Sequence, residues 1–149
     1  MELLFETHHE ALLDPLDLGA LPAGHRLVIR IEEGRVEGPR LHGRYLPGTT
    51  ITELIHSNGV IESKGELALE MDDGHRIFLR LPGLAALFPE AAQDLAEGRP
   101  YDPAMLYMRA CLRCEASENG PYAWLNRILC VAEATRTAET GHMTVWQLL

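Results

Sequence analysis

The segment Tyr122-Ala123-Trp124-Leu125-Asn126-Arg127 carries the densest set of side chains able to do chemistry. In an extended stretch Tyr122, Trp124 and Asn126 fall on one face. There they form either core with a satisfied polar cap, or a pocket wall in which the rings give apolar contact and the amide orients a carbonyl or hydroxyl. Tyr107, Arg109 and Arg113 share one face of an apolar stretch just upstream. An arginine on that face supplies a cation for an anionic substrate group or forms a surface ion pair in an acidic protein. Between Val60 and Met71 the residues alternate, with Glu62, Lys64, Glu66, Ala68 and Glu70 on one side and Ile61, Ser63, Gly65, Leu67 and Leu69 on the other. If the apolar side packs into the core, the charged side is solvated.

The chain has 7 histidines, and they are dispersed. His8 and His9 are consecutive, so in a strand they point to opposite faces and do not easily share an ion. His42, His56, His75 and His142 lie in or beside different apolar stretches, and His56 stands out because it ends one just before Asn58-Gly59. This dispersion predicts no bound metal. Cys111 and Cys114 have the spacing of a redox pair, but "MLYMRACLRC" reads as strand, which turns residues three apart to opposite sides. No helix start is at hand to lower a thiol pKa. The cysteines read as buried and inert, with a zinc site including Cys130 as the lesser alternative.

The elements that position these groups follow from composition and periodicity. At 149 residues and 46% hydrophobic, the chain is long enough to bury one core. Its 13 Lys and Arg against 22 Asp and Glu give a net charge of −9, which argues against binding nucleic acid or anionic membrane. No apolar stretch approaches the roughly 20 residues of a membrane span, and "MELLFETHHE" lacks the basic start of a secretory signal. With 3 cysteines, no disulfide framework is implied. The reading is a cytoplasmic protein.

Short apolar runs separated by Gly, Pro, Asn and Asp predict strands near Leu3 to His8, Leu27 to Ile31, Leu41 to Leu46, Thr50 to His56, Val60 to Met71, Arg76 to Leu81, Met105 to Cys114, Leu125 to Glu133 and Met143 to Leu148. Asn58-Gly59 and Asp73-Gly74 suit hairpin turns. Leu84, Leu87, Phe88, Ala91, Ala92 and Leu95 recur at helical spacing, with Pro89 in a first turn and Gly98 at the end, which predicts one inserted helix over 84 to 98. About nine short strands and one helix make a single-domain, all-β antiparallel barrel, lipocalin-like in general shape. Gly34, Gly38, Gly43 and Gly48 then mark places where the barrel wall bends or backbones approach closely, because no helix follows them as a phosphate loop requires.

"GRVEGPRLHGRYLPGT" from Gly34, "DDG" at 72 to 74 and "YAWLNRILCV" from Tyr122 together resemble the uncharacterised family known as domain of unknown function three-two-three-seven. The resemblance spans about Phe5 to Trp146. It implies a small antiparallel β-barrel with a helix at one side, and its interior as the site. Two departures accompany it. After Pro47-Gly48 the family usually continues Gly, Ala, Asp, Trp, where this chain has Thr49, Thr50, Ile51 and Thr52. In the strand after Asn58-Gly59 an Asp and, two residues on, an Arg are matched here by Lys64 and Glu66.

The resemblance implies that the charged face of Val60 to Met71 lines the lumen. Desolvation there raises a carboxyl pKa, and Lys64 opposes the shift. Glu66, with Glu62 second, or His56 is then the acid–base group, Asn126 with Tyr122 holds an oxyanion, and Lys64, Tyr107, Arg109 and Trp124 complete the ligand contacts. The function expected is binding of a small, partly apolar molecule, with cofactor-independent acid–base chemistry of the isomerase, cyclase or lyase kind. The alternatives are a non-catalytic carrier or sensor and an inactive scaffold subunit. Sheet edges and the apolar helix offer surfaces for a homodimer.

Overall fold

The computed structural model describes residues 1–12, 15–100, 102, 105–137 and 139–149. Ten strands run in order: β1 (Glu2–Leu12), β2 (Leu16–Leu21), β3 (Gly24–Glu37), β4 (His42–Tyr45), β5 (Thr49–Ile55), β6 (Val60–Met71), β7 (Arg76–Leu87), β8 (Leu106–Ala116), β9 (Cys130–Arg136) and β10 (Gly141–Gln147). One helix, α1 (Pro89–Ala96), lies between β7 and β8. All pairings are antiparallel, and β1 joins both β10 and β3, so the sheet closes on itself. Eight positions make the barrel, one of them shared by β4 and β5 between β3 and β6, and β2 lies outside the ring.

Period-2 alternation builds the wall. In β6, Ile61, Gly65, Leu67, Leu69 and Met71 are buried while Glu62, Lys64 and Glu66 are exposed. In β7, Ile77, Leu79, Leu81 and Ala85 face inward in the same way. Gly59 and Gly74 hold positive φ at the two hairpins, which side chains other than glycine adopt reluctantly.

The glycine-rich stretch is barrel wall. β4 and β5 occupy successive parts of one position between β3 and β6. Pro47, which has no N–H to give, and Gly48 break the strand there. The ladder is mended around the break: Leu46 N–H donates to the Ala68 carbonyl at 2.7 Å, and the Thr49 hydroxyl accepts from Ala68 N–H at 3.4 Å while donating to the Leu46 carbonyl. A Cβ on Gly43 would collide with the Glu70 carbonyl oxygen, so the close crossing of β4 and β6 requires glycine.

Three elements differ from the sequence reading. β2 is additional, a hairpin partner of β3 whose Leu16, Leu18 and Leu21 stay exposed. The helix starts at Pro89, because Leu84 to Leu87 continue β7 in register with β8; Leu84 and Phe88 are exposed, Ala91 is buried, and the Leu95 side chain lies outside the described residues. Ala123–Arg127 is a 3-10 turn and the following strand begins only at Cys130. In that turn Leu125 is fully buried, and Asn126 takes the Ala116 N–H and donates to the Ala116 carbonyl, both at 2.8 Å. The turn therefore plugs the barrel end where β8 finishes. Tyr122 donates to Asp73 at 2.8 Å, and Arg40 lies 3.8 Å over Trp124, which ties the plug to two neighbouring loops.

Replacing Asn126 by Ala leaves the Ala116 N–H and C=O without partners. A loss of roughly 1–3 kcal/mol is expected, read as a lower urea midpoint with an unchanged m-value.

Candidate functional site

A closed barrel can enclose apolar groups, or polar groups that answer one another, but not isolated charges. Toward the plugged end large side chains such as Phe5, Leu69, Leu79 and Leu112 fill the interior. Toward the other end the inward positions of β7, β8 and β9 carry Ala85, Ala110, Ala132 and Ala134, and a cavity of about 70 Å³ remains. An outer groove of about 270 Å³ meets it at His9, Thr135, Arg136 and His142, forming a mouth beside the β9–β10 hairpin.

The polar groups of the cavity come from strand ends at this mouth. Glu53, on the inward face of β5, is only 2% exposed. Both of its carboxylate oxygens are engaged by Arg136 at the end of β9, Oε2 by Nη2 at 3.1 Å and Oε1 by Nη1. A bidentate guanidinium is the partner that makes an enclosed carboxylate tolerable. His9 projects inward from β1, its ring lying over Gly141, where no Cβ would fit. Burial, reinforced by the Arg136 charge and then by His8 and His142, lowers the His9 pKa from 6.5 to about 4, so its imidazole is neutral at physiological pH. Its Nδ1 is buried with no hydrogen-bond partner among the described residues. Tyr45 lies with its ring centroid 6.0 Å from that of His9, and burial pushes its phenol up to about 12. The Thr7 hydroxyl opposes that shift by proximity without making a hydrogen bond of normal geometry, and its Oγ1 is likewise buried without a partner. Ser63 adds a hydroxyl to the wall.

The residues singled out from the sequence lie elsewhere. Glu62, Lys64 and Glu66 share a face of β6, as alternation predicts, but that face is the outside of the barrel. The expectation that they line the lumen is therefore corrected: Gly65, Leu67 and Leu69 occupy the enclosed side, and the charges keep their hydration. The Glu62 side chain is 61% exposed and pairs with His56 at 3.2 Å on the outer rim. Tyr107 and Arg109 share the outer face of β8. Arg109 borders the cavity wall but directs its guanidinium to Glu133 at 3.2 Å and over the Tyr107 ring at 4.8 Å. Tyr122, Trp124 and Asn126 belong to the plug at the opposite end from the mouth, and their side chains bind neighbouring loops. Cys111 is exposed and Cys114 and Cys130 are buried, so the first two do face apart, and all three thiols are free.

Glu53 and Arg136 left only a faint trace in the sequence. "TTITELI" places Glu53 on the face of Thr49, Ile51 and Ile55, and "CVAEATR" ends in Arg136 on the face of Cys130, Ala132 and Ala134. Each is one charge at the end of an apolar face, which is also how a strand runs out into solvent. Ile51 lines the cavity. Glu53 puts a carboxylate on the same face two residues further on.

Comparison with known proteins agrees with this architecture. The family described as "Protein of unknown function (DUF3237)" matches residues 1–148. A UPF0311 protein of Rhodopseudomonas palustris is 32% identical over 136 residues, 91% of this chain and 88% of the relative. A crystal structure of a conserved protein of unknown function from Rhodopseudomonas palustris superposes with a TM-score of 0.87 at 30% identity, covering 99% of this chain and 96% of that one. A β-barrel-like protein from Acinetobacter baumannii superposes with a TM-score of 0.85 at 29% identity, covering 99% and 94%. With the match running along nearly its whole length, the chain belongs to the DUF3237 family of β-barrel proteins.

Proposed function

We propose that the barrel binds a small, largely apolar molecule bearing a hydroxyl or carbonyl oxygen, and that it moves a proton on that molecule without a cofactor, as an isomerase, cyclase or lyase does. The observation that carries this reading is the pairing of His9 and Tyr45. Two titratable groups share one cavity wall, an imidazole that keeps a free lone pair and a phenol that keeps its proton. Burial leaves both groups uncharged at neutral pH, so the wall offers an imidazole and a phenol that hydrogen-bond a polar group of the ligand without a buried charge. His9 and Tyr45 both line the cavity. The Arg136–Glu53 pair supplies a fixed cation beside the oxygen that gains charge. Only part of a substrate fits in about 70 Å³, so the reacting portion sits inside and the remainder in the mouth groove.

A second reading, a carrier or sensor, is favoured by one observation. Both Glu53 oxygens are already occupied by Arg136, so the carboxylate is a structural counter-ion and the pocket can recognise a ligand without exchanging protons.

A thermal-shift screen of small hydroxy- and keto-substituted aromatic compounds, followed by mass spectrometry of the incubated hits, separates the readings. Conversion of a hit that His9→Gln and Tyr45→Phe abolish while Glu66→Gln retains it supports the enzyme. Binding without conversion by the native protein supports the carrier, and hits that bind His9→Gln and Arg136→Met as well as the native chain refute the site.

The lowered pKa of His9 also sets a stability profile. The unfolded chain takes up this proton near pH 6.5, whereas the folded one resists it until about pH 4. The contribution is complete above pH 6.5, is lost as pH falls from 6.5 toward 4, and is level below that. Its size is up to about 3 kcal/mol. Urea denaturation across this window should show a decline in the native protein that is flattened in His9→Gln.

A further inference from the structure

The outer face of the β1–β10 seam holds a second cluster, which reaches the mouth of the lumen through His142. Glu6 and His8 are two residues apart on β1 and project outward, and His142 on β10 stands directly across from His8. We propose that Glu6, His8 and His142 form a binding site for a borderline-soft divalent transition metal of the Zn²⁺, Co²⁺ or Ni²⁺ class.

The geometry supports this at each step. One ligand atom from each residue lies within 4.8 Å of the others. Donors about 2.0–2.2 Å from a tetrahedral zinc stand roughly 3.3–3.5 Å apart. His142 Nε2 and Glu6 Oε1 already stand 3.4 Å apart. His8 stacks on His142 with ring centroids 4.6 Å apart, and one of its ring nitrogens lies within 4.8 Å of the ligand atoms of Glu6 and His142. Two imidazoles and one carboxylate select a transition metal over Mg²⁺ or Ca²⁺, which demand oxygen donors. His8 and His9 do face opposite sides of β1, as strand alternation requires; the second imidazole of the cluster comes from the neighbouring strand.

The surroundings are compatible with a cation. Arg35, opposite His8 on the β3 side, is answered by Glu37 at 3.1 Å. The Thr144 hydroxyl meets Glu6 at 3.5 Å and steadies the carboxylate. The net charge of −9 attracts cations generally. Three protein ligands leave a coordination position for water or a ligand group. His8 and His142 border the mouth groove, so a ligand group held there is within reach of the cluster. A metal here would also cross-link the first and last strands of the barrel.

The test uses the untagged full chain freed of metal by chelation. Titration with Co²⁺, read in visible absorption, and with Zn²⁺, read by calorimetry, should show one equivalent bound and a melting temperature that climbs with metal concentration. Glu6→Gln, His8→Gln and His142→Gln should each weaken binding by roughly tenfold or more. His142→Cys, which keeps a ligand atom, and His75→Gln, which removes an exposed histidine elsewhere, should retain it. Melting temperatures measured in chelator distinguish loss of a ligand from loss of fold. Absence of saturable binding, or binding untouched by His8→Gln or His142→Gln in a folded variant, overturns the proposal.

Discussion

Strand β1 is hydrogen-bonded along both edges, to β10 on one side and to β3 on the other. That double pairing joins the beginning of the chain to its end and turns a ribbon of hairpins into a closed wall. Closure removes the unpaired edges that an open sheet of this length would present. It also creates an inside from which bulk water is excluded, so every strand must sort its side chains. Along β6 the sorting is clear, with Leu67, Leu69 and Met71 inward and Glu62, Lys64 and Glu66 outward.

The inside is not uniform. Where β7, β8 and β9 approach the plug, Leu79, Leu112 and Cys130 meet Phe5 and Leu125 and fill the space. Toward the mouth the same strands present Ala85, Ala110, Ala132 and Ala134, and the interior opens. The plug, held by Asn126 on Ala116, Tyr122 on Asp73 and Arg40 on Trp124, closes one end, and the mouth lies at the other. Volume and access are thus set by side-chain size along the strands and by one 3-10 turn.

Within the open half, Glu53 and Arg136 make an enclosed charge pair possible, and that pair shapes the behaviour of its neighbours. The guanidinium disfavours a second positive charge, which helps keep His9 neutral. Low polarity keeps the Tyr45 proton in place. The carboxylate stands two residues beyond Ile51 on the same face of β5, so one acidic group enters the lumen from that strand. Just outside, Glu6, His8 and His142 gather on the seam that closes the barrel.

By itself the sequence determined the architecture class. Alternating apolar runs, the Asn58-Gly59 and Asp73-Gly74 turns and the spaced glycines of 34 to 48 are local signals, and they specify an antiparallel barrel because hydrogen bonding and burial repeat every two residues. Local alternation likewise placed Glu62 with Glu66, and Tyr107 with Arg109, on shared faces. It misread 84 to 87 as helix and the start of the Leu125 to Glu133 stretch as strand, since their conformations depend on the register of β7 with β8 and on the Asn126–Ala116 contact. Only the tertiary structure decided which face is the inside, and so which charges are buried. It also decided which residues far apart in the chain meet: Glu53 with Arg136, His9 with Tyr45, His8 with His142. Those meetings are properties of cross-strand register and barrel closure, which arise between strands and leave no periodicity within any one of them.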